Sequence, residues 1–446
     1  MKLLIADYVL PICSQPIEKG AVCVENGKII AIGKDLDLKR KFLQAERQVF
    51  KNSALMPGFV NTHSHLELTV LRSFLDSTEN NFKSWLLKLA KARNTLSQEE
   101  IEISALAGAI EGIKSGVTFF ADVGRCAEAS LKALKRLGLR GIVFQETRFS
   151  PDTTKSEEDF QYLKEKFSSI KQLETTLVKA GISPHSPYTV NGRLLEKIAD
   201  YAAQEGIKLA IHAAESKQEN VFLKKGKGFF KSIYEKAGYK WIPPGETTIR
   251  YLQQTGLLSI SPLLIHCIHV SDEEIEIIKQ NKCSIAHCPK SNAKFGHGRA
   301  PLEKFIANEI PVGLGTDSVA SNNICDMLEE TRFACFLARL KKFITAEKML
   351  ELLTKSTLAQ LGFPKLGSIE EGNSADLIAI KLNRTAQLPI FDVQAAILFS
   401  SHASDVEFVM IAGKEIYRDG KLKNIDENLL KKELIKIADK IRRNIL

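Results

Sequence analysis

Cysteine is sparse and patternless here: eight residues in 446, with no CxxC spacing. A disulfide scaffold is not expected, and a reducing cytosolic compartment is. No stretch reaches the roughly 18 apolar residues of a membrane helix, so no membrane partner is expected. Met1 to Ala6 begins like a secretion signal, but Asp7 interrupts it and no long apolar run follows. The net charge is +9, yet there is no long Lys/Arg block and no aromatic-basic interleaving. Nucleic acid is therefore not an expected partner, and the charge reads as surface solubility with a mild preference for anionic ligands. Internal repeats and low-complexity tracts are also missing.

The length allows one large domain of roughly 250 to 300 residues and a smaller one. Residues 1–56 hold short β-prone runs at Leu3 to Ile5, Ala21 to Val24 and Lys28 to Ile32, with an Asn26-Gly27 hairpin signal. From Gly58 onward, short apolar runs alternate with longer amphipathic stretches, the texture of βα units on a parallel sheet. Eight strands are predicted, ending near His63, Asp122, Gln145, His185, His212, His266, His287 and Asp317. They predict a (β/α)8 TIM barrel over residues 57–364, with its active site at the C-terminal strand ends. Connections 66–100 and 216–258 are long for plain loops and are expected to shape the pocket. After residue 365 the β texture returns, and a Lys-rich amphipathic helix over Leu429 to Ile445 closes the chain. Segments 1–56 and 365–446 are each too small for a core, so a composite β-sandwich is expected.

Six of the nine histidines fall at or just past a predicted strand end. His63 and His65 are two apart, and an extended backbone points positions i and i+2 the same way. With His212 after strand five and Asp317 after strand eight, they make a ligand set suited to one Zn2+ or Fe2+. Water on such an ion has its pKa lowered toward neutrality. Strand four ends in Ser183-Pro184-His185, with no lysine to be carbamylated between two metals, which favours a single ion. Glu215, three residues past His212, is a natural general acid/base; the alternative is a solvated glutamate near a helix start. His266 could stabilise the attacking hydroxide or the tetrahedral intermediate. His185 reads as substrate-facing. His269 and His287 are left open, while His297 and His402 read as surface or structural.

The runs Pro57-Gly58-Phe59-Val60-Asn61-Thr62-His63-Ser64-His65, His212-Ala213-Ala214-Glu215, His266-Cys267, His287-Cys288-Pro289-Lys290-Ser291-Asn292 and Gly315-Thr316-Asp317-Ser318 resemble the amidohydrolase superfamily. The subgroup is that of the chlorohydrolases and the nucleoside or nucleobase deaminases. The resemblance implies one metal on His63, His65, His212 and Asp317, with Glu215 shuttling protons to a ring nitrogen. It implies that His266 and Asp317 orient the attacking hydroxide and that ammonia leaves a cyclic amidine. Pro184-His185-Ser186-Pro187-Tyr188-Thr189 is similar to a substrate segment of the S-adenosylhomocysteine and methylthioadenosine deaminases, but Ser84 stands where those enzymes usually carry a glutamate before Trp85. His65-Leu66-Glu67-Leu68, Ser84-Trp85-Leu86, Gly228-Phe229-Phe230-Lys231 and Ser401-His402-Ala403-Ser404-Asp405-Val406 are similar to the 6-amino-6-deoxyfutalosine deaminases of menaquinone biosynthesis, the favoured comparison. Guanine deaminases and triazine chlorohydrolases are the alternatives on the same scaffold. The resemblance implies a small-molecule nucleoside substrate met by His185, Trp85, Glu67 and Ser84. Arg72, Arg125 and Arg148 are the candidates to meet its carboxylate. The oligomeric state, a homodimer included, is left open.

Overall fold

Strands buried on both faces read as near-continuous apolar runs, and eight such runs form the centre of this molecule. The structure, a computed structural model, describes residues 1–423 and 425–445. The eight parallel strands run Phe59–Ser64, Val117–Gly124, Arg140–Glu146, Val178–Ser183, Ala210–Ala213, Leu263–His266, Ser284–His287 and Val312–Leu314. Alternation divides their side chains. Val60, Phe119, Ala121, Phe144, Ile265 and Ala286 share one buried cluster, while Phe59, Phe120, Val143, Ile211, Leu264 and Ile285 belong to another that includes the helices.

The barrel is assembled from two four-stranded halves, strands one to four and five to eight. Each seam between them carries a single bridge: Ser64 with Asp317, and Ile182 with Leu209. At the first seam Asn61 reinforces the join. Its Nδ2 donates to Thr316 Oγ1 at 2.8 Å, and the Thr316 amide donates back to Asn61 Oδ1 at 3.1 Å.

The helices follow their sequence signals. In Ala127–Leu137 the buried positions Ala127, Ser130, Leu131, Leu134 and Leu137 keep the i, i+3, i+4, i+7 spacing of one face. The helix stops at Gly138, whose φ of 69° is the left-handed conformation that favours glycine.

Both ends of the chain join one eight-stranded sheet. Strand Glu46–Pro57 is its centre, parallel to Lys2–Val9 on one side and antiparallel to Leu377–Lys381 on the other. Leu4, Val22, Phe50, Leu55, Leu377 and Phe408 share one apolar core, so neither terminal segment has to build a core alone. A buried Arg140, at the start of barrel strand three, pairs with Asp376 and ties this sheet to the barrel. The closing helix Glu427–Ile445 buries Ile437 and Ile441 in the cluster of Leu68, Leu71 and Trp85 beneath the first long connection. Among the described residues, no helix is long and apolar enough to cross a membrane.

Candidate active site

The C-terminal strand ends bring together side chains far apart in the sequence. One ring nitrogen each from His63, His65 and His212 lie within 4.8 Å of one another. Asp317 Oδ1 is 3.3 Å from His63 Nε2 and 3.5 Å from His65 Nε2. The outer nitrogens are anchored: His65 Nδ1 donates to the Val123 carbonyl at 2.8 Å, and His212 Nδ1 to the His185 carbonyl at 2.9 Å. Those bonds fix the tautomer and leave each Nε2 lone pair facing the cluster, the arrangement a metal ligand needs. Both ring nitrogens of His63 are buried without a hydrogen-bond partner, although its Nε2 faces Asp317. Burial drives the His63 pKa down to about 3, so the ring is neutral and one of its nitrogens offers a lone pair. Three imidazoles and one carboxylate around a common centre fit a divalent ion.

Neighbours hold this geometry in place. Asp317 Oδ2 accepts from Ser291 Oγ at 2.6 Å and from Ser321 Oγ at 3.0 Å. Burial opposes its charge, but His63, His65 and His266 around it keep the carboxyl well below the usual range. Asp122 Oδ1 accepts from Ser64 Oγ and from the Leu66 amide, pinning the turn that carries His63 and His65. Ala214, His266, Cys267 and Asp317 all have positive φ, between 47° and 75°. Such strain in non-glycine residues concentrates at functional sites, where the surroundings over-determine the backbone. Gly315 approaches His63 so closely that an added Cβ would lie 2.8 Å from the His63 backbone nitrogen.

Glu215 is buried beside the cluster, its Oε1 3.7 Å from His266 Nε2. Desolvation, with the charge of Asp317 behind it, raises the Glu215 pKa well above an ordinary glutamate's. His266 is fixed by Asn292, whose Oδ1 pairs with His266 Nδ1 at 2.9 Å. The group opens on a cavity of about 360 Å3, walled by Leu68, Phe82, Trp85, Phe149, Tyr188 and Phe230 among others.

Of the residues expected to meet substrate, His185, Trp85 and Glu67 line this cavity. His185 Nδ1 lies 2.8 Å from Thr189 Oγ1, and its Nε2 is 4.0 Å from Glu146 Oε1. Trp85 Nε1 is buried without a partner. Glu67 is already engaged: it pairs with Arg93 at 2.5 Å and accepts from the Cys126 amide at 2.7 Å. Ser84 and Arg148 are not brought to the cavity. Ser84 is exposed on the helix Phe82–Arg93, and Arg148 turns toward the next helix to pair with Glu158 and Asp159. Arg72 is likewise held by Glu111. Arg125 alone of the three arginines lines the cavity, beside Glu146, whose Oε2 is 3.2 Å away.

Two cavity residues and one buried neighbour of Glu215 carry little or no sequence signal. Glu146 ends strand three one position past the expected end at Gln145, and a count one residue longer would have flagged it. Arg93 closes a helix in the first long connection and carries no sequence signal. His297, expected at the surface or in a structural role, is buried with its Nε2 3.7 Å from Glu215 Oε1. The flanking Gly296 and Gly298 were its only sequence cue. His287 is buried at the end of strand seven with Nδ1 unpartnered, and it is not among the residues lining the cavity.

A (β/α)8 barrel whose strand ends gather metal-type ligands beside a buried carboxyl is the architecture of a water-activating hydrolase. Comparison with known proteins narrows the class. The sequence pattern of the amidohydrolase family matches residues 54–416. A 5-methylthioadenosine/S-adenosylhomocysteine deaminase of Caldicellulosiruptor saccharolyticus is 32% identical over 95% of this chain and 94% of its own. A zinc-bound adenosine deaminase structure from Xanthomonas campestris superposes with a TM-score of 0.87 at 26% identity, over 99% of this chain and 98% of that one. An aminofutalosine deaminase structure from Helicobacter pylori, in complex with methylthio-coformycin, has a TM-score of 0.78 at 23% identity, over 93% and 100%. That last likeness is one of fold. The chain belongs to the amidohydrolase family, whose members depend on metal ions. It is a hydrolase acting on C–N bonds of cyclic amidines.

Proposed function

We propose that this enzyme removes ammonia hydrolytically from the adenine ring of a nucleoside modified at its 5′ end. The observation that carries the reading is Glu215: a buried carboxyl of raised pKa, beside four imidazole and carboxylate ligands, at the base of an aromatic-walled cavity. His63, His65, His212 and Asp317 would hold one divalent ion, Zn2+ or Fe2+. When bound, that ion supplies a water acidic enough to attack near neutral pH. Glu215 takes the proton of the attacking water and delivers it to the ring nitrogen next to the amine-bearing carbon. His266, whose Nδ1–H donates to Asn292 Oδ1, presents an unprotonated Nε2 that would orient the attacking water by accepting from it. The walls at Phe82, Trp85 and Tyr188 offer flat apolar surface to the purine and keep bulk water away.

The relative from Caldicellulosiruptor supports methylthioadenosine and S-adenosylhomocysteine as substrates. A second reading, 6-amino-6-deoxyfutalosine in menaquinone biosynthesis, draws on two observations. Ser84 is exposed rather than facing the cavity, so the usual glutamate contact to the sugar is missing. Phe230 of the inserted segment lines the wall and stacks on Tyr188 with ring centroids 4.2 Å apart. Arg125, the one of the three candidate arginines that lines the cavity, would meet the carboxylate of either acid substrate.

Ammonia release from the three nucleosides and from adenosine, with metal analysis of the same preparation, tests the reading. Silence with all four nucleosides would defeat it. Chloride release from a triazine, or xanthine from guanine, would move the enzyme to another branch of the family.

A further inference from the structure

One buried polar atom close to the proton shuttle is left without a partner: Nε2 of His297. It lies 3.7 Å from Glu215 Oε1, the same oxygen that His266 Nε2 approaches at 3.7 Å. Asn292 ties both imidazoles to one residue. Its side-chain oxygen pairs with His266 Nδ1 at 2.9 Å, and its carbonyl accepts the His297 amide at 2.9 Å.

The placement of His297 is built. Its ring packs edge-on against Phe82 at 4.6 Å and lies 5.3 Å from Phe295. Gly296 and Gly298 on either side have φ of 65° and 112°, conformations that let the chain fold a histidine inward between them. Burial lowers the His297 pKa to about 4, so the ring is neutral and one nitrogen carries a proton. His297 is not among the residues lining the cavity, so any effect on the reaction passes through Glu215.

We infer that His297 is a positioning residue whose Nε2–H donates to Glu215 Oε1 in the substrate-loaded site. At 3.7 Å the bond is not yet made, and contacts of this kind shorten as a substrate fills the site. The bond fixes the carboxyl plane and leaves Oε2 to carry the proton from the attacking water to the ring nitrogen. His297 keeps its own proton throughout. The role rests on the reading of Glu215 as proton shuttle.

Two substitutions separate this role from packing. His297→Phe keeps the ring and loses the donor, whereas His297→Gln keeps an N–H at similar reach. With methylthioadenosine, His297→Phe should lower kcat about tenfold, with KM within about twofold of the parent and full metal content. His297→Gln should recover kcat to within about threefold. Should the Phe variant fail to fold, His297→Met provides the same comparison. A Phe or Met variant with parental kcat overturns the role, as does a folded Gln variant equally slow. Parent enzyme that releases no ammonia from any adenine nucleoside removes instead the deaminase reading, and the positioning role with it.

Discussion

A proton shuttle must take up a proton and give it away again, and burial, which raises the Glu215 pKa above an ordinary glutamate's, strengthens it as the acceptor. Glu215→Gln keeps the shape and removes the proton exchange. It should retain full metal while ammonia release falls about 10²- to 10⁴-fold. Metal analysis and initial rates on one sample check both halves, and near-parental turnover would end the shuttle role. Arg125 makes a sharper substrate test. Arg125→Gln should raise KM for S-adenosylhomocysteine or aminodeoxyfutalosine about tenfold, the scale of one charged hydrogen bond. It should leave methylthioadenosine, which has no carboxylate, nearly unchanged. An equal rise for all three substrates would mean that Arg125 acts through Glu146 on the whole cavity.

At the scale of the element, strand ends were the legible feature. His63, His65, His212 and Asp317 could be grouped because period-2 alternation and strand length put them at one end of one barrel. Central strand Glu46–Pro57 escaped because Glu46 to Lys51 alternates polar and apolar only weakly, with Phe50 its single fully buried side chain. Arg148 misled for another reason. Its sequence neighbourhood at the end of strand three resembles a cavity position, but Glu158 and Asp159 on the next helix draw the guanidinium away. Direction after a strand ends is set by local charge pairs, which periodicity does not register. Asn61, inside strand one, gives the element-level prediction. Asn61→Ala removes both side-chain bonds to Thr316. Losses of this kind behind metal ligands cost about 10- to 100-fold in metal affinity. Competition with a chromogenic chelator would measure it, and unchanged affinity would mean the seam holds without that link.

Across the whole molecule, buried histidines govern the response to acid. Burial first, then Arg299, lowers the His287 pKa to about 4, against about 6.5 in an unfolded chain. Between those values the unfolded state binds more protons, so stability falls as pH drops through that window. One such histidine contributes about 2 kcal/mol of loss between pH 7 and pH 5. His63, His185 and His297 act in the same direction. Asp122, Glu219 and Glu330, raised by burial to about 6, 6 and 7, oppose them. Denaturant titrations should show a stability difference between the two pH values that shrinks by about 2 kcal/mol in His287→Phe. The closing helix offers a packing test of the same global kind. Ile441→Ala should cost about 2 to 4 kcal/mol and loosen the Trp85 wall, raising KM.

The two half-barrels meet at seams of one bridge each, and the proposed cation ligands straddle them: His63 and His65 belong to one half, His212 and Asp317 to the other. An ion bound there is a rivet through both plates. Stripped of it, the shell should breathe along the Ser64–Asp317 line, with deuterium entering the Val312–Leu314 amides before those of Arg140–Glu146.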